Sequence, residues 1–106
     1  GQNGGTATGA HYAATKGAIV TLTKIFAKEF AAKGVTVNAV APGPMESPIV
    51  HSVVSDEKME QFIQNIPVKA LGTMHFIAET CGLLASPNAG FVTGATWDIN
   101  GGLFMR

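Results

Sequence analysis

Tyr12-Ala13-Ala14-Thr15-Lys16 is the segment whose residue types and spacing can do chemistry. On a helix, residues four apart lie one turn apart on the same face, so the phenol and the ammonium would be neighbours. A cation beside a phenol favours the phenolate and draws a tyrosine pKa down from about 10. Such a tyrosine can pass a proton to a developing alkoxide or take one from an alcohol. Alone, a Tyr–Lys pair at this spacing is an ordinary helix-surface contact, so its surroundings decide what it means.

Two downstream segments supply those surroundings. Val37-Asn38-Ala39-Val40-Ala41-Pro42-Gly43 reads as a strand running into a Pro-Gly breaker. Thr93-Gly94-Ala95-Thr96-Trp97-Asp98-Ile99-Asn100-Gly101-Gly102 reads as a last strand closed by a glycine turn.

The positioning elements follow from periodicity and punctuation. Residues 1–9, rich in Gly, Thr and Asn, are expected to form a loop, and a helix is expected from about Tyr12 to Lys33. Its apolar stripe is predicted as Ile19, Leu22, Ile25, Phe26 and Phe30, with Gly34 as the left-handed stop. Val35–Val40 is predicted as a short strand. Ser47-Pro48 resembles an N-cap followed by proline at the first helical position. Ser55-Asp56-Glu57 opens a further helix, running to about Ile66 before Pro67. Thr73 can cap another, with Phe76, Ile77, Thr80, Cys81, Leu83 and Leu84 as its apolar face, ended by Ser86–Gly90. Phe91–Thr93 is expected to be a short extended bridge, and Ala95–Ile99 the final strand. The class is α/β with both strands parallel. Two parallel strands cannot make a stable sheet, so further strands are expected from outside this sequence.

Bulk properties narrow the function classes. Of 106 residues, 46% are hydrophobic and only 13% charged, which fits a core-forming chain that belongs to something larger or has partners. Seven basic and seven acidic residues cancel, and the basic ones are scattered, so nucleic-acid binding is not expected. Every apolar run is broken before it reaches a membrane span. The opening Gly1-Gln2-Asn3-Gly4-Gly5 carries neither a charged leader nor an apolar signal core, and one cysteine, Cys81, permits no internal disulfide. Cytoplasmic residence is the expectation, with Cys81 a plain buried thiol. No metal site is expected.

Together the Tyr12…Lys16 pair, the Pro42-Gly43 turn and the closing Asp98-Ile99-Asn100-Gly101-Gly102 resemble the short-chain dehydrogenase/reductase family, in its non-extended branch. The resemblance runs from before Tyr12 almost to Arg106. It implies that the chain is the C-terminal portion of a doubly wound, Rossmann-like parallel sheet, with the order long helix, strand, lid helices, helix, final strand. Residues 1–106 would form the C-terminal half of one such domain, and the dinucleotide-binding half would be absent. Tyr12 would be the general acid/base; Lys16 would lower its pKa and hydrogen-bond the nicotinamide ribose. Pro42 and Gly43 would lie beside the nicotinamide ring, and Met45 and Ser47 would contact its carboxamide. The cofactor would be NAD or NADP, which this half does not distinguish. The closing Asn-Gly-Gly motif would be structural.

Two departures from the family pattern stand out. Ser47 replaces the usual threonine, keeping the hydroxyl, and Thr73-Met74-His75-Phe76 opens a helix where relatives usually have proline and acidic residues. His11, beside the tyrosine, reads as a loop residue near the substrate entrance rather than a base. Pro48–Ile66 would be the mobile lid, and its Ile49, Val50, Val53, Val54, Met59 and Phe62 suggest a substrate with an apolar portion. The family's catalytic serine, proton-relay asparagine and glycine-rich pyrophosphate turn are missing, so the isolated chain is expected neither to bind cofactor nor to turn over. The expected substrate is a small carbonyl or alcohol, in the manner of 3-oxoacyl-thioester reductases. Self-association as a dimer or homotetramer is expected of the full-length protein, through the long helix and the last strand. Two alternatives stand beside this reading: a truncated, inactive paralogue acting as an association module, and one half of a split enzyme.

Overall fold

The computed structural model describes residues 7–105. Residues 1–6 of the expected N-terminal loop lie outside the described part. Helix α1 spans Ala7–Phe30 and tightens into a 3₁₀ turn at Ala31–Lys33. Strand β1 (Ala39–Pro42), helices α2 (Pro48–Val53), α3 (Asp56–Gln64) and α4 (Met74–Leu84), a 3₁₀ turn at Pro87–Ala89 and strand β2 (Thr96–Ile99) follow. The strands pair in one two-stranded sheet, with the Ala39 amide on the Ala95 carbonyl (2.9 Å) and the Gly43 amide on that of Ile99 (2.8 Å). Equal advance along both chains makes the pair parallel.

Local signals were accurate where a cap decides the element. Ser47 accepts from the Val50 amide at 3.3 Å, Ser55 from Lys58 at 3.3 Å and Thr73 from Phe76 at 3.2 Å. Gly34 ends the first helical segment at φ 78, its amide on the Ala31 carbonyl. Several boundaries differ. Helix α1 already includes residues 7–9, because nothing there but Gly9 opposes extension, and one glycine costs a helix only about 1 kcal/mol. Strand β1 starts at Ala39 rather than Val35, since a ladder exists only where β2 offers a partner. Phe91–Thr93 forms no bridge; an isolated parallel bridge instead joins Met45 to Gly72.

The chain divides into two compact units, one of Gly1–Ala39 with Leu84–Trp97, the other of Val40–Leu83 with Asp98–Arg106. In the first, Thr23, Ala27 and Ala89 are buried, and Lys16, Val20 and Phe30 are half-buried. Steps of four, three, four and three residues put Lys16, Val20, Thr23, Ala27 and Phe30 on one inward face. The predicted stripe is therefore corrected: Ile19, Leu22, Ile25 and Phe26 are 43–52% exposed. Close approach explains the choice of face. A Cβ on Gly94 would sit 3.4 Å from the Ala27 Cβ, so the helix must present small residues to this turn. The buried Thr23 hydroxyl is satisfied by the Ile19 carbonyl at 2.7 Å.

Asn38 ties the approach to β1 to the approach to β2. Its Nδ2 donates to the Val92 carbonyl (3.0 Å) and its Oδ1 accepts from the Ala95 amide (3.1 Å). The Val37 amide donates to Thr93 Oγ1 (3.0 Å), and the Gly94 amide to the Val37 carbonyl (2.8 Å). Asn38→Ala removes both side-chain bonds and leaves two partly buried backbone groups unpaired, so a loss of about 1–3 kcal/mol is expected in urea unfolding. An unchanged midpoint would show that water replaces the side chain.

In the second unit Met59 and Ile66 form the core. Lys69 takes a left-handed backbone (φ 58), and its ammonium donates to the Gln64 carbonyl at the end of α3. In α4, Thr80 is buried and donates to the Phe76 carbonyl at 2.9 Å. Cys81, expected to be buried, is exposed, because the inward face of α4 follows Ile77, Thr80 and Leu84. No helix among the described residues is long and apolar enough to cross a membrane.

Candidate active site

Position 12 lies on α1 one turn before Lys16, as the spacing predicts. The Tyr12 side chain lies outside the described part of the structure. Lys16 is half-buried and heads the inward face that continues through Val20 and Thr23. Residues four apart on an unbroken helix have the relative placement a phenol and an ammonium need to interact. His11, expected in a loop, is an exposed helical residue whose carbonyl accepts from Thr15 Oγ1 at 2.9 Å.

The remaining predicted site residues fall in the second unit, on the turn that leaves β1. Pro42 ends the strand and is exposed; Gly43 continues the ladder through its amide. The next three residues are held by Gly72, whose amide donates to the Pro44 carbonyl (3.0 Å) and whose carbonyl accepts from Glu46 (2.7 Å). A Cβ on Gly72 would meet Met45 Cε at 2.7 Å, so the methionine lies flat on the glycine. Ser47 is engaged as the α2 N-cap through its oxygen, and its O–H can still donate to a ligand. Beyond it, His51 Nε2 and Glu46 Oε1 join α2 to the turn.

A cavity of about 440 Å³ opens against this turn. Pro44 and Met45 form one wall, Val50 and Val54 another, and Met59, Phe62 and Leu71 complete it. Among the described residues Lys58 is the one charged lining residue, with a long apolar stem. Among the described residues no group of three or more His, Cys, Asp or Glu could hold a metal ion.

The turn therefore offers an exposed proline face and a hydroxyl donor beside an apolar cavity. That donor set suits a flat, amide-bearing ring with an apolar substrate next to it. Sequence reasoning missed Gly72 and Leu71 as parts of this wall. Neither carries a signal of its own, since each acts through a partner far away in sequence.

Comparison with known proteins adds an independent line. Residues 1–104 match the family model described as "Enoyl-(Acyl carrier protein) reductase". Over 96 residues the chain is 44% identical to the 3-oxoacyl-[acyl-carrier-protein] reductase FabG of Staphylococcus epidermidis, covering 91% of this chain and 39% of that protein. The protein of the same name from Vibrio cholerae is 41% identical over 101 residues, 95% of this chain and 41% of its own length. The chain thus spans about two fifths of the length of these curated relatives.

Proposed function

We propose that this chain, which belongs to the short-chain dehydrogenase/reductase family, supplies the acid/base pair and one wall of the nicotinamide pocket of an NAD(P)-dependent oxidoreductase. It would be the C-terminal half of a single doubly wound, Rossmann-like domain whose other strands and pyrophosphate turn lie outside these residues. The observation that carries the reading is the placement of Tyr12 and Lys16 one turn apart on an unbroken helix, within a family match covering residues 1–104.

Bound NAD(P) would supply or accept the hydride; the chain's own residues manage the proton and the positioning. Tyr12 gives its phenolic proton to the oxygen of a ketone undergoing reduction, and takes one back from an alcohol in the reverse direction. Lys16 holds the ribose and, as a neighbouring cation, favours the phenolate. Pro42 and Gly43 present a flat face to the ring, while Met45 and Ser47 address its carboxamide. The apolar cavity between the turn, α2 and α3 suits the chain of an acyl substrate. The names of the relatives point to a 3-oxoacyl thioester. Cytoplasmic residence and a homodimeric or tetrameric assembly belong to the same reading.

In the complete enzyme, a short 3-oxoacyl thioester should drive oxidation of NADH or NADPH, followed by loss of absorbance at the nicotinamide band. The isolated 106-residue chain should not, since it lacks the pyrophosphate turn. Turnover by the isolated chain would overturn the division of the site; no turnover by the complete protein with any ketone would overturn the activity.

The exposed Ile19, Leu22, Ile25 and Phe26 favour a second role, association. As an inactive paralogue the chain would bind another copy; as half of a split enzyme it would bind the dinucleotide-binding half. Mixing the chain with that half and assaying for regained turnover separates the two.

A further inference from the structure

The closing Asn-Gly-Gly turn bears directly on the Pro42–Gly43 turn. A Cβ on Gly43 would lie 2.7 Å from Asn100 Cβ and 2.8 Å from Asn100 Cα, both far inside contact distance. Gly43 therefore rests on the backbone of Asn100, and its amide is bonded to the preceding residue's carbonyl, Ile99, at 2.8 Å. Asn100 in turn is held in place by its own side chain. Its Oδ1 accepts from the Gly102 amide at 3.0 Å, and its Nδ2 donates to the Phe104 carbonyl at 2.9 Å.

The turn behind it is equally constrained. Gly101 has φ 65, and a Cβ there would meet Ile66 and Val68 at 2.8 Å. The Val68 amide donates to the Gly101 carbonyl at 3.1 Å, tying the turn to the segment that follows the buried Ile66. A rigid plate set against a residue without a side chain leaves that residue one position to occupy. Both ends of the Asn100 amide are spent on holding the plate still.

We propose that Asn100 is a positioning residue for the cofactor, fixing the height of the Pro42–Gly43 turn on which the nicotinamide ring would lie. The proposal rests on the reading of that turn as the nicotinamide wall. Asn100→Ala keeps the Cβ contact but frees the turn from Gly102 and Phe104. Asn100→Asp keeps an acceptor for Gly102 and restores part of the constraint.

The test uses the complete enzyme, with NADH and NADPH as probes. For Asn100→Ala the KM for the dinucleotide and its dissociation constant should each rise about tenfold, as a turn displaced by a fraction of an ångström would produce, with kcat changed less. Asn100→Asp, which keeps the bond from Gly102 but not the one to Phe104, should recover part of that affinity. Amide spectra of the same variants should show the Gly43 resonance shifted while that of Gly34 is not. A Gly43 resonance that stays in place overturns the positioning role, whatever the affinity does. A shifted Gly43 resonance with unchanged dinucleotide affinity overturns the proposal from the other side, because Pro42–Gly43 is then not the cofactor wall. A fall in kcat and melting temperature with KM unchanged would reduce Asn100 to a structural residue.

Discussion

Tyr12→Phe in the complete enzyme is expected to lower kcat by roughly 10²–10⁴, with dinucleotide affinity changed less than about twofold. The substitution removes one hydroxyl and with it the proton donor, while the ring that fills the position remains. Neither the helix nor Lys16 is altered, so cofactor binding should survive. The prediction separates two meanings of the Tyr–Lys pair. If the pair only decorates α1, phenylalanine is a mild surface change and turnover persists, which would sink the assignment of Tyr12. Lys16→Ala makes a useful companion, since it should weaken both steps: the ribose loses a hydrogen-bond donor and the phenol its neighbouring cation.

Gly43→Ala should be among the most disruptive single substitutions in the chain. The added methyl has nowhere to go, because its nearest neighbours are the Cα and Cβ of Asn100 rather than the end of a flexible side chain. Relief requires moving the strand end or the closing turn, and overpacking of this kind costs about 1–3 kcal/mol or more. For a complete domain of about 150–250 residues each kcal/mol lowers the melting temperature by roughly 2–4 °C. The contrasting variant is Gly82→Ala. Gly82 lies inside α4 with nothing within 4 Å of an added Cβ, so alanine should stabilise by up to about 1 kcal/mol. Thermal melts of the two should therefore move in opposite directions. A Gly43→Ala protein that melts like wild type would show the contact with Asn100 to be soft.

The contrast between these two glycines also marks what a sequence reveals. Caps are written within four residues, so Ser47, Ser55, Thr73 and Gly34 could be read directly, because donor and acceptor belong to one turn. The Tyr12–Lys16 spacing is legible for the same reason. Contacts between distant residues are not. Nothing near Gly43 announces Asn100, and nothing near Gly72 announces Met45. Periodicity misled on α1 because the helix carries large apolar residues over most of its circumference. Hydrophobicity then marks residues that can be buried, whereas the closeness of the Gly94 turn selects the small ones that are. Cys81 erred similarly, since apolar neighbours in sequence are not neighbours on a helix face. Strand β1 began late because a strand's limits are set by its partner, not by its own β-branched residues.

The outward-facing side chains of α1 also govern how this polypeptide behaves as a solute. Ile19, Leu22, Ile25 and Phe26 form an oily surface on a molecule whose formal net charge at pH 7 is zero. Coulombic repulsion between copies is then at its weakest, and apolar patches meet with little to keep them apart. Colloidal stability should improve as the buffer is moved away from neutrality in either direction, and light scattering across a pH series should pass through a maximum near 7. Handled at neutral pH and high concentration, the chain should precipitate before it unfolds.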